Sequence, residues 1–257
     1  MIEIKNLTKV YKLSSKMKKE LKTNDDKKIA VNNLSLSIKD GEVFGLLGTN
    51  GAGKTTTLRI IATLLKPTEG SVEVSGFDTV IEGDKVRKEI GFLTSEIKLD
   101  PNFSPDYLYD FFRELRSIPK DVATNQKEKL FKYFDIENFK DKKVEELSTG
   151  MNQKAAIAIS LMHNPNIVIF DEPTSGLDIV TARSVLDYIK LLKEQNKTVI
   201  MSTHNMSEAE KVCDRIGIII DGKLVFVGTL SEVKEKTKTK DLEEAFFTLY
   251  LENKGEL

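Results

Sequence analysis

Eight residues, GTNGAGKT from Gly48 to Thr55, carry the most specific chemistry in the chain. They fit the spacing G-x-x-x-x-G-K-[ST]; the apolar run VFGLLG leads into them and the helical stretch KTTTLRIIATLL leads out. In that setting the glycines turn backbone N–H groups inward onto phosphate oxygens, Lys54 reaches the β and γ groups, and the Thr55 hydroxyl is placed on Mg²⁺. Gly48, Thr49, Asn50, Gly51, Ala52, Gly53, Lys54, Thr55 and the following Thr56 form the candidate triphosphate cradle. A turn that merely joined a strand to a helix would leave Lys54 unexplained, because a cation at a helix start opposes the macrodipole.

A second group lies in NIVIFDE, where an apolar strand delivers Asp171 and Glu172 at its C-terminal end, the edge at which open α/β sheets bind ligands. Asp171 is placed to hold Mg²⁺ through its water shell, and Glu172 to orient and deprotonate an attacking water. Two adjacent carboxylates repel unless a cation shares their site, so this reading depends on the loop at 48–55. His204 follows the apolar strand TVIMST at the same edge, where an imidazole either hydrogen-bonds a γ-phosphate or serves as an ordinary loop cap. His163, just before Asn164-Pro165, reads as a cap at a helix C-terminus.

The stretch LSTGMNQKAAIAISL, residues 147–161, is a helix start: Ser148 and Thr149 are capping types, Gly150 frees the backbone, and a small-residue apolar helix follows. Such a terminus attracts anions. It would be a second phosphate-seeking site in one chain. The loop at 48–55 with Asp171 and Glu172 leaves the outward face of a triphosphate uncovered. Two chains packed head to tail would bring Ser148 and the N–H groups near Gly150 and Met151 onto the partner's γ-phosphate; otherwise the helix simply has a good cap.

These groups need strands and helices to position them. IEIKNLTKVY and NNLSLSIKDG alternate as strands, and a Lys-rich stretch between them reads as a solvated hairpin loop, a short exposed helix, or a contact for lipid headgroups or an acidic partner. SVEVSG and EIGFLT are further strands, whereas PDYLYDFFRELR and NQKEKLFKYFDI are amphipathic helices. From NIVIF onward strands and helices alternate, which argues for right-handed βαβ crossovers and a parallel sheet. Asp221-Gly222 marks a hairpin, and DLEEAFFTLYLENKGEL a terminal helix.

The 257 residues suffice for one large α/β unit with an inserted lobe. Lys+Arg 39 against Asp+Glu 40 leaves a net charge of -1, so nothing draws the chain as a whole to nucleic acid or anionic lipid. The single Cys213 excludes an intramolecular disulfide and reads as a buried thiol in a reducing cytosol. No apolar run approaches the ~20 residues that cross a bilayer, so any membrane spans are expected on another chain.

Tyr11, GTNGAGKT, LSTGM, IVIFDEPT, SGLD and TH, in this order across essentially the whole chain, resemble the nucleotide-binding subunit of ABC transporters. LSTGM just ahead of the Asp-Glu strand separates that family from other phosphate-loop ATPases and kinases. The resemblance implies a P-loop NTPase core with a mainly parallel sheet, an N-terminal antiparallel β subdomain and an inserted α-helical subdomain. It implies one domain over 1–257: core and β subdomain at 1–96 and 164–230, helical subdomain at 97–163, and a helical tail at 231–257. It also implies an ATP- and Mg²⁺-dependent ATPase, working as an ATP-bound head-to-tail homodimer. A separate integral-membrane permease would hold the protein at the inner face of the cell membrane, in the cytoplasm, and no nucleic-acid partner is expected.

By the same resemblance Tyr11 stacks on adenine, Ser148, Thr149, Gly150 and Met151 form the signature acting in trans, Asp178 crosses the dimer, and His204 is the switch histidine. The tail LEEAFFTLYL is similar to ABC-2-type exporters. IGFLTSEIKLD and the overall length are similar to the ATPase of a two-gene bacterial sodium-extrusion system. Three features depart from the family. Ser95 stands where a glutamine is usual, and the expectation is a shorter, water-mediated contact. The signature reads Ser-Thr-Gly-Met instead of Ser-Gly-Gly-Gln, keeping the Ser and Gly that do the phosphate work. A Lys-rich insertion lengthens the link after Tyr11. Soluble ABC ATPases acting on ribosomes or DNA are the alternative class; these usually carry two nucleotide domains or a long coiled-coil insertion. A P-loop phosphotransferase would need neither signature nor dimer.

Overall fold

The computed structural model describes residues 1–21, 23–94 and 98–256. Three strands, β3 (Val43–Leu47), β7 (Ile167–Asp171) and β8 (Thr198–Thr203), are buried at every position, and so they read as nearly unbroken apolar runs. Their side chains alternate between two cores. Val43, Leu47, Val168, Phe170, Val199 and Met201 face one, and Phe44, Leu46, Ile167, Ile169 and Ile200 face the other.

The second core is closed by an antiparallel sheet. Its strands β1 (Ile2–Lys12), β2 (Lys27–Ile38), β4 (Glu69–Val74) and β5 (Phe77–Asp78) run in the order β2-β1-β4-β5. Its Ile2, Ile4, Leu34 and Val72 pack against Phe44, Leu46 and the apolar face of α2 (Lys54–Ile61). The β1–β2 pairing continues as far as Tyr11 opposite Lys28 and Lys12 opposite Lys27. The Lys-rich insertion is thus the tip of a hairpin, and it carries the short helix α1 (Ser15–Leu21).

The central sheet has six strands in the order β10-β9-β3-β8-β7-β6, with β6 (Ile90–Thr94) and β9 (Arg215–Ile220) parallel to the middle three and β10 (Lys223–Thr229) antiparallel. Asp221 and Gly222 turn β9 into β10 with φ of 48° and 79°, as the Asp-Gly pair predicts. α3 (Gly83–Glu89) leads into β6. On the other side, α4 (Pro105–Leu115), α5 (Lys120–Tyr133), α6 (Thr149–Ser160), α7 (Ile179–Glu194), α8 (Met206–Val212), α9 (Leu230–Thr237) and α10 (Leu242–Lys254) contribute to the first core. Cys213 is buried there, and burial raises its thiol pKa, so it is an inert packing residue.

His163 corrects its sequence reading. α6 ends at Ser160, and His163 lies beyond it with Nε2 donating to the Ile90 carbonyl at 3.1 Å. Burial, reinforced by the Arg116 guanidinium, pushes its pKa down to about 4, so at neutral pH it carries no charge to offer a helix dipole.

Candidate functional site

Parallel register sets the site. Leu47 is level with Thr203, and Asp171 with Ser202, so the chain leaves β3, β7 and β8 at one edge. Residues 48–53, Glu172 and His204 are therefore neighbours although more than a hundred positions separate the first from the others.

The loop after β3 can be built only with glycine at its close approaches. Gly53 has a φ of 111°, and a Cβ there would meet the Ala30 carbonyl oxygen at 2.4 Å. At Gly48 a Cβ would come as close to the Ile219 carbonyl. The β9–β10 turn braces the loop: Gly222 N–H donates to the Ala52 carbonyl at 3.0 Å, and Asn32 N–H to that of Gly222 at 2.8 Å.

Lys54 opens α2 and is only 4 % exposed. Its Nζ donates to the carbonyls of Gly48 at 2.8 Å and Thr49 at 3.2 Å, and lies 3.3 Å from Glu172 Oε1. Those three oxygens compensate a cation at a helix N-terminus. The next residue, Thr55, donates its hydroxyl to Asp171 Oδ1 at 3.1 Å. Buried Ser202 donates to the same oxygen at 2.5 Å. One carboxylate flanked by hydroxyls suits a hard cation that keeps most of its water and takes phosphate oxygens as ligands. Among the described residues no cluster of three or more His, Cys, Asp or Glu could form a cage for a metal.

Glu172 occupies the left-handed region with φ 51°, unusual for a long side chain. Its N–H faces the Ser202 carbonyl at 3.2 Å and the Ser202 hydroxyl at 3.0 Å, which hold that backbone. The side chain lies between Lys54 and His204, whose Nδ1 is 3.2 Å from Glu172 Oε2. His204 remains half exposed, so its ring reaches the surface of the site. Tyr11 borders the same helix start: its hydroxyl is 3.4 Å from Thr56 Oγ1, and Lys9 Nζ lies 5.4 Å from its ring centre.

Ser148 caps α6, accepting from Met151 N–H at 3.3 Å, with Ser148 and Thr149 exposed. Gly150 is buried against Thr181, where a Cβ would lie 2.7 Å from the Thr181 hydroxyl. That hydroxyl donates at 2.7 Å to Asp178, which caps α7 through the N–H groups of Val180 and Thr181. These donors hold the Asp178 carboxyl below the usual carboxylate range, Thr181 contributing most. LSTGM and SGLD therefore form a second cluster. Its link to Glu172 is a backbone one, from Ser175 N–H to the Glu172 carbonyl at 3.2 Å, and among the described residues no side-chain hydrogen bond or ion pair joins it to the Lys54–Glu172 group. Ser95 lies outside the described residues; the last residue of β6, Thr94, is level with Asp171.

Sequence reading missed Ser202, Thr181 and Glu208. Ser202 and Thr203 had a signal, since polar residues closing the apolar run TVIM should bond to something at the strand end. Thr181 and Glu208 had none, because their partners are set by tertiary packing.

Residues 31–175 match the family described as ABC transporter, more than half of the chain. The chain belongs to the ABC transporter ATP-binding family, and it is an ABC ATPase. Among relatives, the ABC transporter ATP-binding protein NatA of Bacillus subtilis (strain 168) is 39% identical over 227 residues, which cover 87% of this chain and 92% of that protein. The ATP-binding cassette MJ0796, solved as a post-hydrolysis dimer bound to ADP and Pi, is 30% identical with a TM-score of 0.76 over 90% of this chain and 99% of its own. An ATP-binding subunit of an ABC transporter shares the fold at a TM-score of 0.84 and 22% identity, over 97% of this chain and 99% of that one.

Proposed function

We propose that the chain is the motor of an ABC exporter, closing as an ATP-bound head-to-tail homodimer and hydrolysing ATP at two composite sites. The observation that carries this is the separation of the two clusters: Lys54, Thr55, Asp171, Glu172 and His204 converge, while exposed Ser148 and Thr149 lie apart beside Asp178. In this reading the loop at 48–56 and Tyr11 bind the nucleotide, and Ser148 to Met151 with Asp178 complete the partner's site. Thr55 and Asp171 would hold Mg²⁺, which would neutralise phosphate charge when bound. Glu172 takes the proton of the attacking water, and His204 contacts the γ-phosphate and orients Glu172. The chain works as one domain, with 97–163 as its signature-bearing lobe and 231–257 as its tail.

No helix among the described residues is long and apolar enough to cross a membrane. In this reading a separate permease supplies the spans and keeps this chain at the inner membrane face. The chain's own surface supports such a partner. Phe103, just before α4, and Tyr107, Phe111 and Leu115 on it expose an apolar stripe, with Phe103 and Tyr107 stacked at 4.6 Å, beside a groove of about 610 Å³. For the cargo we infer Na⁺, on the likeness of IGFLTSEIKLD and the chain length to sodium-extrusion ATPases. The test of the dimer is light scattering on Glu172→Gln with and without ATP·Mg²⁺: the mass should double only with ATP. A monomer in both conditions, with nucleotide bound, overturns the homodimer. Na⁺ efflux from cells co-expressing the chain and its permease tests the cargo.

A further inference from the structure

We propose that Glu208 is a positioning residue for hydrolysis, its carboxylate tying the turn after Glu172 to the strand end before His204. This rests on the reading of Glu172 as general base and His204 as its neighbour. Thr174, two residues beyond Glu172, donates its hydroxyl to Glu208 Oε2 at 2.7 Å. Thr203, which immediately precedes His204, reaches the same oxygen at 3.4 Å. Among the described residues no hydrogen bond joins Glu208 to Glu172 or His204 themselves; it holds each through a residue one or two positions away.

The need for such a tie follows from the backbone. Glu172 sits at a positive φ, which is unfavourable for a residue of its type and persists only where the surroundings over-determine it. Ser202 fixes the near side, through both contacts to the Glu172 N–H. On the far side Ser175 N–H returns to the Glu172 carbonyl at 3.2 Å, and Thr174 is anchored to Glu208. His204 has a weaker hold of its own, being half exposed with its Nδ1 3.2 Å from Glu172 Oε2. Asn205 N–H donates to Thr203 Oγ1 at 2.9 Å, and the Asn205 side chain accepts from the N–H groups of Ser207 and Glu208, so the Glu208 backbone is itself fixed at the start of α8. Glu208 thereby makes one body of two loops that must keep Glu172 and His204 in register.

The experiment is steady-state ATP hydrolysis by Glu208→Ala, Glu208→Gln and Thr174→Val. Displacing a general base by a fraction of an ångström should lower kcat of Glu208→Ala by about 10- to 100-fold, with KM for ATP within about twofold. Glu208→Gln should recover to within about threefold of wild type, because an amide oxygen still accepts both hydroxyls. Thr174→Val, near-isosteric and outside α8, should reproduce part of the loss if Glu208→Ala folds poorly. In single turnovers the Glu208→Ala defect should vanish in a Glu172→Gln background, since the two act as a unit. A kcat within about twofold of wild type for both Glu208→Ala and Thr174→Val overturns the proposal, as does an equal fold-loss in that background. Glu172→Gln at the wild-type rate would instead overturn the catalytic reading of Glu172, and this proposal with it; a slow Glu172→Gln beside an unimpaired Glu208→Ala overturns this proposal alone.

Discussion

Lys54 Nζ and Glu172 Oε1 stand 3.3 Å apart, joining the cation of the phosphate loop to the carboxylate at the end of β7. Each compensates the other's burial: Lys54 is almost fully enclosed and the Glu172 side chain is 21 % exposed. A γ-phosphate that captured Lys54 would remove this partner from Glu172 and leave the carboxylate to water. In the proposed function the pair would link arrival of the triphosphate to readiness of Glu172 as base.

Glu172→Gln should therefore separate binding from chemistry. The amide removes the negative charge that competes for Lys54, so ATP affinity measured by calorimetry should hold or rise. Turnover should fall by about 10²–10⁴-fold, the usual worth of a general base. Hydrolysis at the wild-type rate would sink the assignment.

Ser202→Ala tests the support beneath the site. Its hydroxyl, fully buried, donates to Asp171 and accepts from Glu172 N–H, so one substitution removes two contacts. Hydrogen bonds to charged groups contribute about 1.5–3 kcal/mol, and urea unfolding should show a loss in that range. A change below about 0.5 kcal/mol, the size of an ordinary surface substitution, would mean that the Asp171 carboxylate is held by other means.

How far the sequence foretold this site depended on the range of the interactions. GTNGAGKT was legible because its residue types and spacing lie in one contiguous run, although the contacts that exclude a side chain at Gly48 and Gly53 are distant in sequence, to the carbonyls of Ile219 and Ala30. The strands around it were legible because a strand buried on both faces is apolar along its middle, as β3 and residues 167–170 of β7 are. The Asp-Gly turn was read correctly for the same local reason, but not its use: Gly222 supports the phosphate loop across some 170 residues of sequence. His163 was misread because a histidine near a helix end looks like a cap until the packing that buries it is known. Glu208 and Thr181 are ordinary surface types whose roles exist only once α8 and α7 are docked.

His163 gives the chain an acid dependence of stability. Its folded pKa of about 4 lies below the unfolded value of about 6.5, so the unfolded chain binds more protons between these limits. Stability contributed by the neutral ring is present above pH 6.5 and lost as pH falls toward 4. Between pH 7 and 5 the loss should be about 2 kcal/mol, read from urea midpoints. His163→Gln, which keeps a donor for the Ile90 carbonyl without a titrating ring, should flatten this slope. An unchanged slope would place the acid sensitivity elsewhere.

Gly150→Ala probes the contact between the signature and the Asp178 turn. The added methyl would stand 2.7 Å from Thr181 Oγ1 and 3.2 Å from its Cγ2, so Thr181 must rotate and give up its bond to Asp178. Overpacking of this kind costs about 1–3 kcal/mol, which thermal or urea unfolding will register. ATP binding at the loop should persist, since Gly150 and Thr181 make no hydrogen bond to Lys54, Thr55, Asp171 or Glu172, while ATP-dependent dimerisation should weaken. Thr181→Ala, made in the Gly150→Ala background, removes the clashing atoms. The double variant should recover most of the stability lost by Gly150→Ala, a non-additivity expected only of residues in contact. Were the double variant no more stable than Gly150→Ala alone, the close approach of Gly150 to Thr181 would not be what requires glycine in the signature.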